Sequence, residues 1–296
     1  MNRRHFISTS AALLALGSVA GSRAFAALAL AAKSNKGRIG IQLYSVKDEL
    51  PKDFEGTLKK LSDIGYSAIE PYGFNGDKFF DRTMKELAVI VKDMGMTISG
   101  THTGSGILPA DTNAKEWDFW KKCSSSLSSG GGKYAIQAGY PGAKTIDDLK
   151  RIAEHFNRVG EVCKKGGVKF AYHNHNNELR KIEGEVILEF LIKNTDPKLV
   201  FFQLDMGHAL NGGGDCLRYL NDYKGRIPLW HASDFNMESR KYVEVGKGSV
   251  PYAQMFEIAN KSGLVQLTVE QETGGEIFES CKVDFDYLKQ FKWTKV

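Results

Sequence analysis

Short apolar runs recur eight times along the chain, and each is followed by polar or glycine-rich residues and then by a segment with helical periodicity. The runs are nearly continuous rather than alternating, which is typical of parallel strands covered on both faces. They comprise residues 38–46, 66–71, 97–101, 134–138, 168–173, 199–205, 227–231 and 264–270. Eight alternations of strand and helix predict an α/β chain that forms one closed (β/α)₈ barrel, a TIM barrel, over residues 37–293.

The segments between the runs carry helix stop signals. Glycines end four of them where a C′ glycine is expected, at Gly65, Gly95, Gly166 and Gly263. Predicted helices span residues 54–64, 84–94, 146–165, 186–193 and 252–261. No G-x-G-x-x-G follows the first run, which disfavours a dinucleotide site.

Histidines and carboxylates concentrate at the ends of the predicted strands, where the active site of such a barrel lies. The chain has seven histidines, and His5 is the only one in the first 26 residues. Of the other six, only His155 falls inside a predicted helix; the strand-end set is His102, His173, His175, His208 and His231, joined by Glu70, Asp205 and Glu270. Asp205 alone could simply cap the next helix. Together, mixed nitrogen and oxygen donors predict one divalent ion: Mn²⁺, Co²⁺, Zn²⁺ or Fe²⁺.

The first 26 residues differ from the rest of the chain. Arg3 and Arg4 precede the apolar run 11–20, and Ala24-Phe25-Ala26 follows it. This order predicts a twin-arginine export signal, cleaved after Ala26, and a periplasmic protein with no membrane attachment after cleavage. The apolar run is far shorter than the ~20 residues that a membrane span needs.

Charge and cysteine content narrow the class of protein further. The chain has 40 basic and 35 acidic residues, and removal of Arg3, Arg4 and Arg23 leaves 37 against 35, or +2. A near-neutral chain is a poor candidate for nucleic-acid binding, so we expect a small-molecule partner. The four cysteines lack C-x-x-C spacing, and we expect buried free thiols. A homo-oligomer is compatible with the sequence.

An ordered set of short motifs resembles the sugar phosphate isomerase/epimerase proteins of the xylose isomerase-like barrel superfamily across residues 37–293. The motifs are Ile39 to Val46, Tyr172 to Glu178, Asp205-Met206-Gly207-His208, His231-Ala232-Ser233-Asp234 and Val269-Glu270. Similar ketose 3-epimerases, hydroxypyruvate isomerases and inosose dehydratases bind one divalent ion through the fifth to eighth strands. The resemblance therefore implies Asp205, His231 and Glu270 as ligands, with His208 beside the substrate.

The fifth strand departs from the epimerase pattern. Epimerases carry a glutamate, ligand and base, where this chain has His173 after Gly167 to Tyr172. We expect His173 as the fourth ligand, Glu270 as the base, and Glu178 or His175 in proton transfer, with Glu178 as the alternative fourth ligand. An arginine that follows the His-x-x-Asp segment in epimerases has only Arg240 as a counterpart here.

The resemblance implies a metal-dependent sugar isomerase or epimerase that removes a proton next to a carbonyl. The alternative is a lyase, hydrolase or dehydratase acting on keto-sugars or 3-keto-glycosides through the same site. An endonuclease and a non-catalytic sugar-binding protein are further alternatives. Candidate substrate-binding residues are Gln42, Glu70, His102 and Lys247, each of which also has a packing or solvated interpretation.

Fusion of residues 1–32 to a reporter that folds in the cytoplasm should carry the reporter to the periplasm. Arg3→Lys combined with Arg4→Lys should stop this export, because the twin-arginine route reads the arginine pair. Cell fractionation measures the outcome. Continued export of the double variant would point to the general secretory route instead.

Overall fold

Eight parallel strands form the centre of the computed structural model, which describes residues 39–104, 113–139, 142–273 and 275–293. The predicted export signal, residues 1–26, lies outside the described residues. The strands are β1 (Ile39–Gln42), β2 (Ala68–Glu70), β3 (Thr97–Ile98 with Gly100–Thr103), β4 (Tyr134–Ala138), β5 (Lys169–His173), β6 (Val200–Asp205), β7 (Leu229–Ala232) and β8 (Gln266–Val269). Each lies within a predicted apolar run or extends past it by one or two residues, so the predicted barrel class is confirmed.

The barrel closes through β3. Its first part pairs with β2 and its second part pairs with β4, so the two ends of the sheet belong to one strand. Ser99, between the two parts, donates its backbone N–H to Ile69 and accepts from Lys133, each at 3.0 Å. Closure removes the unpaired strand edges that an open sheet would expose.

Helices follow the strands and cover the barrel. They are α1 (Phe54–Ile64), α2 (Met84–Asp93), α3 (Ala114–Ser129), α4 (Ile146–Lys165), α5 (Ile187–Asn194), α6 (Met206–Asn211), α7 (Cys216–Asp222), α8 (Tyr252–Ser262) and α9 (Ile277–Leu288). In α4, Leu149, Phe156 and Val159 line one buried face at helical spacing. Gly160 allows this helix to approach the barrel, since a Cβ there would lie 2.6 Å from the Leu199 carbonyl oxygen.

The first strand is shorter than its apolar run predicted. It ends at Gln42, and residues 43–46 form a 3₁₀ turn, because the Gln42 side chain accepts a hydrogen bond from the Tyr44 backbone N–H at 3.2 Å. A second 3₁₀ turn, Asn176–Leu179, follows β5, and a hairpin of Asp234–Asn236 with Lys241–Val243 follows β7. These segments form part of the rim above the carboxyl ends of the strands.

The four cysteines are buried and unpaired, as expected from their spacing and the large core. Within the described part of the chain, no helix combines the length and apolar character needed to cross a membrane.

Asp284 on α9 is a fully buried acid that ties the helix to the rim. It accepts hydrogen bonds from the Val245 backbone N–H and the Gln271 side chain, both at 2.7 Å. Burial raises the pKa of this carboxyl to about 7, even though both hydrogen bonds favour the ionised form.

Asp284→Asn should flatten the pH dependence of the free energy of unfolding. A raised folded-state pKa contributes stability that is complete below about pH 4 and is lost as the pH rises through 7. The size is on the order of 4 kcal/mol. Urea denaturation between pH 4 and 8 measures the slope, with Asp286→Asn as control, because Asp286 is a partly exposed acid of the same helix. An unchanged slope in the Asp284 variant would contradict this assignment.

Candidate metal centre and active site

Four buried side chains, one each from β5, β6 and β7 and one from the residue after β8, meet at one point, and they are the four ligands predicted above. They are His173, Asp205, His231 and Glu270, whose donor atoms all lie within 4.8 Å of one another. Glu270 Oε2 lies 2.9 Å from His231 Nδ1 and 3.8 Å from His173 Nε2. Asp205 Oδ2 lies 3.8 Å from His231 Nδ1.

The strand register explains why these side chains converge. His231 on β7 is the register partner of Asp205 on β6 and of Thr268 on β8. Glu270 follows two residues later and donates its backbone N–H to the Ala232 carbonyl at 3.1 Å. Residues i and i+2 of a strand point to the same side. Neighbouring parallel strands thus deliver their side chains at nearly the same height.

Asp205 shows that the cluster fits a cation. Its Oδ1 caps α6 by accepting from the His208 backbone N–H at 2.8 Å, and it also accepts from Ser233 Oγ at 2.5 Å. Asp205 therefore does cap the next helix, as the structural alternative predicted, but the cap uses only one of its two carboxylate oxygens. Oδ2 is buried without a hydrogen-bond partner. A buried acceptor of this kind is costly unless a cation or donor meets it.

The chemistry of the donor set agrees with this fit. Two imidazole nitrogens and two carboxylates suit Zn²⁺, Mn²⁺, Co²⁺ or Fe²⁺ better than Ca²⁺ or Mg²⁺. Burial raises the pKa of Asp205 to about 6, and Glu270 adds to the rise while His208 and His231 oppose it. A bound cation would remove this penalty on the ionised form.

The predicted substrate-binding residues Gln42, Glu70 and His102 lie together beneath the ligands. Glu70 Oε1 accepts from Gln42 Nε2 at 2.9 Å, and His102 Nε2 lies 3.1 Å from the same oxygen. Gln42 and Glu70 have at most 1% of their surface exposed, and His102 has 8%. Glu70 contacts imidazoles and amides, among them His231 on β7 and Gln203 on β6, which are not adjacent to β2, rather than a lysine. Direct contact of these side chains with a substrate stays a prediction.

Gln203 is a member of this layer that the sequence analysis missed. Its Oε1 lies 2.7 Å from His102 Nε2 and 3.0 Å from His173 Nδ1, and its Nε2 lies 3.0 Å from Glu70 Oε2. A signal was present, because Gln203 is a polar residue inside an apolar strand, two positions before Asp205. That spacing places both side chains on the same face of β6.

His208 lies at the rim between two further residues that the sequence analysis missed. Its Nδ1 is hydrogen-bonded to the Tyr242 hydroxyl, and its Nε2 lies 2.9 Å from Glu272 Oε1. Burial alone would lower the pKa of His208, but Asp205 and Glu272 raise it to about 9. The His175 ring lies 4.8 Å away, and burial together with His208 lowers its pKa. The raised pKa favours a protonated His208, and the lowered pKa favours a neutral His175.

Glu178 lies to one side of the ligand cluster. It is buried and accepts from the Tyr172 hydroxyl and from the His175 backbone N–H, each at 2.8 Å. These bonds close the 3₁₀ turn after β5. Among the described residues, the possible ligand clusters contain His173 and do not contain Glu178. A role for Glu178 in proton transfer stays a prediction.

Lys247 is exposed in the glycine-rich turn, and its Nζ lies 3.5 Å from Glu244 Oε2. The turn itself is held by Asp234, whose carboxylate accepts from the backbone N–H groups of Gly246, Gly248 and Val250. Asp234 therefore organises the rim rather than the ligand cluster.

A cavity of about 500 Å³ opens above the cluster. His175, His208 and Glu270 line it, together with Tyr44 and Glu272. The volume is within the range of small-molecule sites, roughly 300–1,000 Å³. Glu270 and the two rim imidazoles therefore face the space in which a sugar-sized molecule would lie.

Comparison with known proteins agrees with this geometry. An inosose dehydratase of Geobacillus kaustophilus is 26% identical over 222 residues, 68% of this chain and 70% of that protein. An inosose dehydratase of Lactiplantibacillus plantarum is 35% identical over 167 residues, 49% of this chain and 55% of that protein. A crystal structure from Parabacteroides distasonis, described as a sugar phosphate isomerase/epimerase, is 29% identical with a TM-score of 0.78, covering 86% of this chain and 96% of that one. The model of the xylose isomerase-like TIM barrel family matches residues 58–293, most of the chain, and the chain belongs to that family.

Proposed function

We propose that this protein is a metal-dependent dehydratase or related carbon–oxygen lyase that acts on a keto-sugar or cyclic keto-polyol. In this reaction a base removes the proton next to the carbonyl, and the oxygen substituent at the β position leaves with a proton from an acid. The inosose dehydratase relatives support this choice over simple epimerisation.

The observation that carries the proposal is the unlike pair of groups that line the cavity, the carboxylate of Glu270 and the imidazole of His208. Glu270 offers a carboxylate, whose pKa is about 2 because the hydrogen bond and charge of His231 outweigh the effect of burial. At position 173, where the resemblance to epimerases would place a second carboxylate, the chain has a buried imidazole. A site with one base and a separate acid suits elimination, whereas proton return to the opposite face of the same carbon suits two equivalent groups.

A divalent ion held by His173, Asp205, His231 and Glu270 would supply Lewis acidity toward the substrate carbonyl. The chain itself supplies the proton transfers. Glu270 accepts the proton from carbon, because its carboxylate lines the cavity. His208 donates a proton to the leaving oxygen from Nε2, and Glu272, whose side chain is 28% exposed, links that nitrogen to solvent.

The second candidate is isomerisation or epimerisation, favoured by the described activity of the Parabacteroides distasonis structure. In that reaction a rim group returns the proton to carbon and the β oxygen stays. Both reactions begin with the same proton removal at Glu270. They differ in the mass of the product, because only elimination releases water or another leaving group.

Incubation of the metal-loaded protein with inosose and with 3-keto-glycosides in D₂O tests the proposal. We expect a product lighter by the leaving group, and deuterium at the carbon next to the carbonyl in recovered substrate. His208→Asn should lower product formation by about 10²–10⁴-fold while deuterium exchange continues, because only the acid is lost.

His175→Asn is the matched variant, since His175 lies beside His208 in the same cavity. It should retain product formation better than His208→Asn. Deuterated product of unchanged composition would establish isomerisation and overturn the dehydratase proposal. Loss of exchange in His208→Asn would contradict its role as the acid.

We also expect the protein to bind one divalent transition metal per chain. Asp205→Ala and His231→Ala should each lower occupancy sharply, because each removes one ligand from a buried set of four. Elemental analysis after dialysis measures this, with Lys247→Ala as the control at an exposed residue of the same rim. Occupancy near zero in the wild-type protein would contradict metal dependence.

A further inference from the structure

The hydrogen bonds in the polar layer beneath the ligands have a fixed donor–acceptor direction. Its centre is Glu70, a carboxylate with 1% of its surface exposed. His231 Nε2 lies 2.8 Å from Oε1, Gln42 donates to the same oxygen, and Gln203 Nε2 lies 3.0 Å from Oε2. Within the described part of the chain, the ion-pair partners of Glu70 are imidazoles, His102 and His231. Four nitrogens thus face the two oxygens of Glu70, and Gln42 can only donate there because its own Oε1 accepts from the Tyr44 backbone N–H, so both oxygens act as acceptors of an ionised carboxylate.

An ionised carboxylate can only accept hydrogen bonds. Gln203 must therefore turn its amide nitrogen toward Glu70 and its oxygen away from it. That oxygen lies 3.0 Å from His173 Nδ1. An amide oxygen cannot donate, so His173 carries its proton on Nδ1. Its Nε2, 3.8 Å from Glu270 Oε2, then presents a lone pair to the ligand cluster.

The same reasoning applies to His231. Its Nε2 must donate to Glu70, which leaves Nδ1 directed at Glu270 and Asp205. One buried carboxylate thus requires a proton on Nε2 of His231 and, through Gln203, on Nδ1 of His173. Such outer partners tune metal affinity by fixing the tautomer and orientation of the ligand.

We propose that Glu70, acting through Gln203, selects an imidazole rather than a carboxylate as the ligand at position 173. A carboxylate there would meet Gln203 Oε1, acceptor against acceptor, in a buried site. Rotation of the Gln203 amide would relieve that contact but set its oxygen against Glu70. Either arrangement leaves a buried conflict of the kind that costs more than a hydrogen bond gains. Glu70 and Gln203 are thus positioning residues, and the inference rests on the proposed metal site.

The donor–acceptor direction of the hydrogen bonds that link Glu70, Gln203 and His173 can be measured in the metal-free wild-type protein. ¹⁵N chemical shifts of the imidazole rings should show His173 as the Nδ1–H tautomer. Gln203→Leu should shift His173 toward a mixture of tautomers, because the acceptor is gone. Gln137→Leu is the matched control, since Gln137 donates to Gly139 on the neighbouring strand end and contacts neither ligand. An Nε2–H tautomer of His173 in the wild type would overturn the proposal.

A double-mutant cycle tests the selection itself, with Co²⁺ as the probe. Glu70→Gln and His173→Glu should each weaken Co²⁺ binding by about 10- to 100-fold. Together they should bind about tenfold more tightly than His173→Glu alone. The reason is that glutamine at position 70 can donate to Gln203 Oε1, so that Gln203 Nε2 turns to donate to the new carboxylate.

Glu178→Gln combined with His173→Glu is the matched control, because Glu178 is also buried near position 173 but bonds to Tyr172 and His175. It should give no rescue. If the losses of Co²⁺ affinity from Glu70→Gln and His173→Glu simply add, and circular dichroism shows that all variants are folded, the proposal is overturned. If the wild type binds no Co²⁺, the proposed function fails, and the tautomer of His173 still decides this inference.

Discussion

The parallel register of β6, β7 and β8 is the constraint on which the site depends. It places His231 beside Asp205 and level with Thr268, two residues before Glu270. A slip of one residue would turn a side chain to the other face of its strand and remove a ligand. Because the barrel is closed, a strand cannot slip without breaking the hydrogen-bond ladders on both of its sides.

The cost of this arrangement is electrostatic. Glu70, Asp205 and Glu270 are carboxylates with less than a tenth of their surface exposed, gathered around one point. Burial alone would lower the pKa of His231, but Glu70 and Glu270 raise it to about 10, so a proton compensates the negative charge without a cation. A divalent ion and that proton compete for the same carboxylates. Metal binding should therefore release protons, as is general for buried imidazole and carboxylate ligands.

Much of the molecule could be predicted before the structure was known. Barrel strands repeat a simple pattern, since apolar runs of similar length alternate with amphipathic helices, and the carboxyl end of each strand faces the active site. That rule placed the strand-end histidines and acids at one end of the barrel, and the resemblance to the isomerase/epimerase proteins singled out Asp205, His231 and Glu270 among them. It was less informative for β1, because nothing in the apolar run 38–46 showed that the Gln42 side chain would turn the chain into a 3₁₀ segment after four residues.

The partners of the other rim residues could not be predicted from this pattern. Tyr242 comes from a hairpin and Glu272 from the loop after β8, and both reach His208 only because the rim folds over the barrel. Glu178 looked like a free acid next to two histidines, but its oxygens are used within its own turn.

The sequence by itself determined the barrel and the set of strand-end residues that contains the candidate ligands, because strand ends and residue types are local properties of the chain. Only the tertiary structure decided which atoms of those ligands face one another and which carboxylate lies beneath them, because a hydrogen bond between Glu70 and Gln203 joins positions 133 residues apart.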